Sequence, residues 1–268
     1  MRPIVTLLAL ALTIMPLTIL PSSAVAQPKI IPAEVSAAEA PDLAVIRKAR
    51  QAGSFQALAA LEKELIAVLD HAPAQYPQME RKDDVPTIRL MTQAGKGASI
   101  FAGAVGARNG TLAIGINTYP IAALLLGSLA NERSNPRKAI AYLDRGLALQ
   151  PDNVTLMIER GAAMAKLKQF AQALALYERA EKLDFVTKDI NLGDDARLLR
   201  AKGFALIELK RLDEAEAAYQ AALKLEPAHP VATGQLDYIR QLRGGGPQRE
   251  FELVPGRPPL GAVAPAKP

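Results

Sequence analysis

Few residues in this chain belong to the types that carry acid–base, nucleophilic or metal chemistry, and their spacing does not gather them. Its 268 residues include two histidines and no cysteine. That composition excludes disulfides, zinc ribbons, iron–sulfur ligation and a thiol nucleophile. His71 follows Asp70 at the end of a helical run, where the helix dipole favours a cationic ring, and His229 stands between Ala228 and Pro230 with no second ligand in view. Gly95-Lys96-Gly97 has the composition of a phosphate loop, yet Leu90 occupies the place of the first glycine in G-x-x-x-x-G-K-[ST]. The glycines from Gly97 to Gly110 lack a strand-to-helix context for a dinucleotide fingerprint. Ser99 is followed by Ile100 and Phe101, so there is no nucleophile elbow. The acidic pairs Asp83-Asp84 and Asp194-Asp195 are of a type used in metal binding or acid–base work, and the latter reads better as favourable negative charge capping a helix that begins near Ala196. The residues therefore point to a non-catalytic chain with no metal and no cofactor. The alternative is an accessory subunit of an envelope enzyme, or such an enzyme itself, with its site in residues 73–118.

The N-terminus has the organisation of an export signal. Arg2 is followed by an apolar stretch over residues 4–20, interrupted by Pro16, and Ala24-Val25-Ala26 supplies a small-x-small cleavage pattern before Gln27. The apolar run is shorter than the ~20 residues needed to span a bilayer, so residues 1–26 read as a cleaved signal peptide. The expected product is an exported, periplasmic chain with no stable membrane span.

Residues 27–40, with their prolines and alanines, read as a flexible lead-in. Residues 41–72 read as a helical hairpin: Leu43, Val45, Ile46 and Ala49 recur at helical spacing, and Ser54 starts a second run through Leu58, Leu61, Leu65, Ile66 and Leu69. Residues 73–118 read as a small β-hairpin or an irregular connector. Val85–Met91 and Ile100–Val105 have strand character, and Arg108-Asn109-Gly110 before Thr111–Ile114 has the form of a tight turn with its return strand. After Arg243 the tail, residues 243–268, contains Gly-Gly-Gly and many prolines, a composition that cannot bury a core.

From residue 119 to 242 the chain is helical in pattern and repeats itself. Gly127 and Gly161 are 34 residues apart, as are Ala139 and Ala173, Leu143 and Tyr177, and Gly146 and Ala180. The same positions recur at Gly203, Ala215, Tyr219 and Ala222, 42 residues on, after an insertion around Phe185–Gly193. On these residues the region resembles the tetratricopeptide repeat (TPR) family, as found in exported bacterial proteins that contain such repeats. The resemblance implies a mainly α fold: a right-handed α-solenoid of three helix pairs, at 120–153, 154–187 and 196–229, closed by a cap helix at 230–242. It also implies that Gly127, Gly161, Gly203, Ala139, Ala173 and Ala215 allow the helices to approach, while Leu143, Tyr177 and Tyr219 fill the grooves. Ala123, Met157 and Leu199 stand where many repeats of the family begin with a large aromatic.

The resemblance further implies a concave face, lined by the first helix of each pair, that takes a partner peptide or helix. By the family's phase its lining is Leu124, Ser128 and Asn131, then Thr155, Ile158 and Ala162, then Arg197, Arg200 and Phe204. Arg197 and Arg200 share one helical face and have the spacing to grip a carboxylate, or else to pair locally with Asp194 and Asp195. The chaperone-binding subgroup's carboxylate clamp is absent, since Leu124, Ser128 and Glu159 occupy corresponding positions. The net charge of +5 is dispersed: residues 27–118 carry 10 basic and 9 acidic side chains, and residues 119–242 carry 17 and 16. No segment has the basic footprint of a nucleic-acid site, and nothing in the pattern points to a small-molecule ligand. The expected role is a scaffold or adaptor that binds another envelope protein.

Overall fold

The in-phase glycines and alanines become three stacked helix pairs. In this computed structural model, residues 29–82, 84–91, 110–183 and 194–248 are described. The signal-peptide assignment, Gly95-Lys96-Gly97, Ser99, the Ile100–Val105 strand, the 185–193 insertion and residues 249–268 lie outside them. In chain order the described elements are β1 (Lys29–Pro32), α1 (Glu39–Arg50), α2 (Phe55–Ala59), α3 (Glu62–Asp70), β2 (Met79–Lys82), β3 (Val85–Leu90) and β4 (Thr111–Ile116). Then come the pairs α4 (Thr118–Glu132) with α5 (Pro136–Leu149), α6 (Val154–Lys166) with α7 (Phe170–Glu181), and α8 (Asp194–Glu208) with α9 (Leu212–Leu225); α10 (Pro230–Arg243) closes the array on α9. The fold is mainly helical, a solenoid in which each first helix packs on both helices of the preceding pair.

The reason for the glycines is visible in each pair. A Cβ at Gly127 would stand 2.8 Å from Leu143 Cγ, and one at Gly203 would stand 2.7 Å from the Tyr219 ring; Gly161 meets the Tyr177 ring in the same way. Leu143, Tyr177 and Tyr219 are buried side chains of the second helices, so each lies flat against the glycine of its own pair. Gly146 fits against Leu156 of the next pair and Ala123 of its own, where a Cβ would come within 2.8 Å of both. The turn inside each pair also repeats. Ser134, Lys168 and Lys210 take left-handed φ values of 54°, 58° and 62°. The next residue's amide closes back onto the first helix: Asn135 to Ala130 O, Gln169 to Met164 O and Arg211 to Leu206 O, at 2.8–3.0 Å. This is the six-residue closure of a helix C-terminus, made here without glycine.

Three expectations for the N-terminal part need correction. The lead-in is not wholly flexible, because Lys29–Pro32 forms edge strand β1 in a four-stranded sheet of order β1-β4-β3-β2. Thr111–Ile114 is not the return strand of a hairpin among the described residues: β4 lies in the sheet interior, parallel to β1 on one side and to β3 on the other. The antiparallel hairpin is instead β2–β3, turned at Asp84, whose φ is 62°. The hairpin of residues 41–72 is three helices rather than two, since its second run breaks at Ala60 and Leu61 into α2 and α3.

These N-terminal helices continue the stack. The side of α3 that carries Leu65, Val68 and Leu69 lies against α4 in one core with Ile46, Tyr119, Ala122 and Leu126, much as each second helix lies against the next first helix. Ionic contacts fasten this layer. Glu62 pairs with Arg133, and with Lys138 Nζ at 3.1 Å, while Arg145 Nη2 donates to Leu69 O and Asp70 Oδ1, both at 2.8 Å. The hydrogen bond from Arg133 holds the Glu62 carboxyl below its ordinary range, with Lys138 adding to the effect and burial opposing it. A carboxyl held low in the folded state contributes stability that is present above its unfolded value, about 4.3, and is lost as the pH falls through the folded value. In urea melts, Glu62→Gln is therefore expected to lower the midpoint at pH 7, with the difference from wild type closing as the pH drops below about 4.3.

Candidate protein-binding face

The first helices α4, α6 and α8 run side by side along one face of the array. Their mid-helix residues Ser128, Ala162 and Phe204 occupy equivalent repeat positions and are all half-buried. Ser128 and Ala162 are small side chains, and the Phe204 ring packs edge-to-face on Phe170, ring centroids 6.2 Å apart. At the C-terminal ends of the same helices the equivalent positions are Glu132, Lys166 and Glu208, an alternation of charge along the face. Lys166 Nζ donates to Asn131 O at 3.0 Å. Burial lowers the Lys166 pKa, and the nearby Glu132 and Glu159 oppose that shift. Burial raises the Glu208 pKa, with Lys168 and Gln248 pulling it back.

Several expected lining residues are placed differently. Ile158 is 3% exposed and belongs to the apolar core, Thr155 is buried, and Leu124 packs on the core shared with the N-terminal helices. Asn131 is also buried, at 4% exposure, and its carboxamide oxygen and nitrogen have no hydrogen-bond partner among the described residues. The largest correction concerns the two arginines, which form no basic end. Arg197 Nη1 reaches Glu159 Oε1 on α6 at 2.7 Å, with both side chains at most 12% exposed, and Arg200, at 2% exposure, pairs with Glu226 beyond the end of α9. Each of these pairs ties α8 to another part of the array. Glu159 and Glu226 lie 38 and 26 residues away in sequence, a separation that periodicity within one helix does not reveal.

A second polar cluster joins the sheet to the array. Asn117 and Gln150 exchange side-chain hydrogen bonds at 2.7 and 2.8 Å, Gln150 Nε2 also donates to Tyr76 O at 3.0 Å, and Asn153 Nδ2 donates to Gln150 Oε1 at 2.9 Å. Tyr76 Oη and Thr118 Oγ1 donate to the same Glu39 oxygen at 2.5 and 2.7 Å. Burial and the Glu39 hydrogen bond raise the Tyr76 pKa, and burial beside Glu39 and Asp42 pushes Tyr119 up to about 12. Asp42 Oδ1 meets His71 Nδ1 at 3.0 Å, so that ring is oriented by a carboxylate on α1 as well as by its place after α3. His229 Nε2 lies 3.8 Å from Glu226. Among the described residues no group of His, Asp and Glu has metal-holding geometry, and no helix is long and apolar enough to cross a membrane.

The architecture is that of a helical repeat solenoid. Its third pair, residues 196–229, matches the family described as Tetratricopeptide repeat. Among solved structures the chain is similar to the first TPR domain of human RPAP3, at 27% identity over 47% of this chain and 95% of that one, with a TM-score of 0.40. It is also similar to the first TPR of Spaghetti (RPAP3) bound to an HSP90 peptide, at 28% identity over 46% and 93% of the two chains, with a TM-score of 0.39. No curated protein matches it.

The Arg197–Glu159 pair makes a direct prediction. Arg197→Ala leaves Glu159 buried without its counter-charge and is expected to cost about 3 kcal/mol. The double variant Arg197→Ala/Glu159→Ala is expected to be more stable than Arg197→Ala, as measured by urea unfolding in a double-mutant cycle.

Proposed function

We propose that this chain is a non-catalytic protein-interaction scaffold that binds an extended peptide or helix of another protein on the face of α4, α6 and α8. The observation that carries this reading is the row Ser128, Ala162 and Phe204. Small or apolar side chains at one level of three first helices leave a shallow strip with polar ends, and among the described residues no acid, base and nucleophile converge on it. With Arg197 and Arg200 engaged in interhelical pairs, recognition falls to the apolar strip and to the Glu132, Lys166 and Glu208 series beside it. The N-terminal sequence supports a location in the bacterial envelope: Ala24-Val25-Ala26 is a cleavage pattern, and a mature chain starting at Gln27 begins two residues before β1.

Two measurements test the reading. The intact mass of the exported protein is expected to correspond to a chain beginning at Gln27. In affinity capture from envelope extract, Ser128→Arg/Ala162→Arg, which fills the strip while leaving the packing glycines intact, is expected to lose the partners that wild type retains. Retention of every partner by that variant would contradict the assignment of this face.

A further inference from the structure

The end of the described chain does not lead away from the array. After α10, Gly244 and Gly246 close back onto Arg240 O and Gln241 O at 3.1 and 3.0 Å, and Gly245 takes a φ of 83°. Gln248 Nε2 then comes within 3.5 Å of Glu208 Oε2, at the C-terminal end of α8. A further 20 residues, 249–268, follow from that point. Neighbouring packed helices lie about 8–10 Å apart and an extended chain advances about 3.3 Å per residue, so three residues carry it from one first helix to the next.

The charges along that path are complementary. Beyond Glu208 the face presents Lys166 with Lys168, and then Glu132. Beyond Gln248 the chain presents Arg249, then Glu250 and Glu252, and then Arg257. Lys166 has no carboxylate within ion-pair distance among the described residues, and its hydrogen bond goes to a backbone carbonyl. Next to it the Asn131 carboxamide is buried with both polar atoms unpartnered, and a carboxamide can accept from and donate to the peptide groups of an extended chain. In sequence this stretch also contains the apolar residues Phe251, Leu253 and Val254.

We propose that the chain's own C-terminal segment, residues 249–268, lies back across α8, α6 and α4 and occupies the binding face until a partner displaces it. The inference uses the face assigned above but needs no partner protein, so its test stands or falls separately from the capture experiment. The chain has no cysteine, and paired cysteines can therefore report proximity in the full-length protein. In Leu253→Cys/Ala162→Cys, the intramolecular disulfide, separated from dimers by mass, is expected to form at least about tenfold faster than in Leu253→Cys/Ala175→Cys, whose second cysteine sits on the exposed side of α7. Adding Glu250→Lys/Glu252→Lys, which alters only the tail and leaves the solenoid's own packing untouched, is expected to slow the first reaction about tenfold, the equivalent of roughly 1.4 kcal/mol. Equal rates at 162 and 175, or a rate at 162 that ignores the charge reversal, would overturn the proposal.

Discussion

The structure depends on how closely the two helices of a pair can approach. At Gly127, Gly161 and Gly203 there is no room for a methyl group, because the side chain of Leu143, Tyr177 or Tyr219 already occupies the space. That approach sets the depth at which each bulky side chain is buried, and so the angle of the pair. The angle in turn decides how the next first helix sits against Gly146, Ala180 or Ala222, all of which are buried. A repeat of this kind has no core of its own apart from its neighbours. The cores recorded here accordingly run across pair boundaries: Leu143 and Leu156 share one cluster with the N-terminal helices, while Tyr177 and Leu198 share another with α10.

The same logic explains the N-terminal layer. A solenoid's first helix would leave an apolar side open, and here α3 and α1 cover it with Leu65, Leu69 and Ile46. The sheet is then held to the array by buried hydrogen bonds rather than by more apolar area. Asn117, Gln150 and Asn153 satisfy one another, and Glu39 receives the hydroxyls of Tyr76 and Thr118. A network in which each polar group finds a partner specifies one arrangement, because any slip would leave an amide buried and unpaired. The sheet and helices therefore support the array from its N-terminal end, away from the row of Ser128, Ala162 and Phe204 on the first helices.

The helix pairs were legible in the sequence because a steric requirement repeated at fixed spacing leaves residues no latitude. Gly127, Gly161 and Gly203, with their large partners, specify both helices and their contact. The sheet was less legible. β1 is four residues with a proline, and β4 pairs in parallel with strands far away in the chain, which a local turn motif does not reveal. The candidate site was legible only as a face. Its phase located Ser128, Ala162 and Phe204, but whether a charged residue on it is free depends on partners elsewhere in the chain. Arg197 and Arg200 have the spacing of a carboxylate grip, but they pair with Glu159 on α6 and with Glu226 just beyond α9.

The most direct measurement of this account is a double-mutant cycle at the third close approach, followed by urea unfolding. Gly203→Ala places a methyl against the Tyr219 ring and is predicted to destabilise the chain by about 1–3 kcal/mol. In the background of Tyr219→Leu, which withdraws the ring, the same substitution is predicted to cost far less, giving a clear coupling energy between the two positions. If Gly203→Ala costs the same with tyrosine or leucine at 219, the close approach does not set the packing of the pair and the account is contradicted.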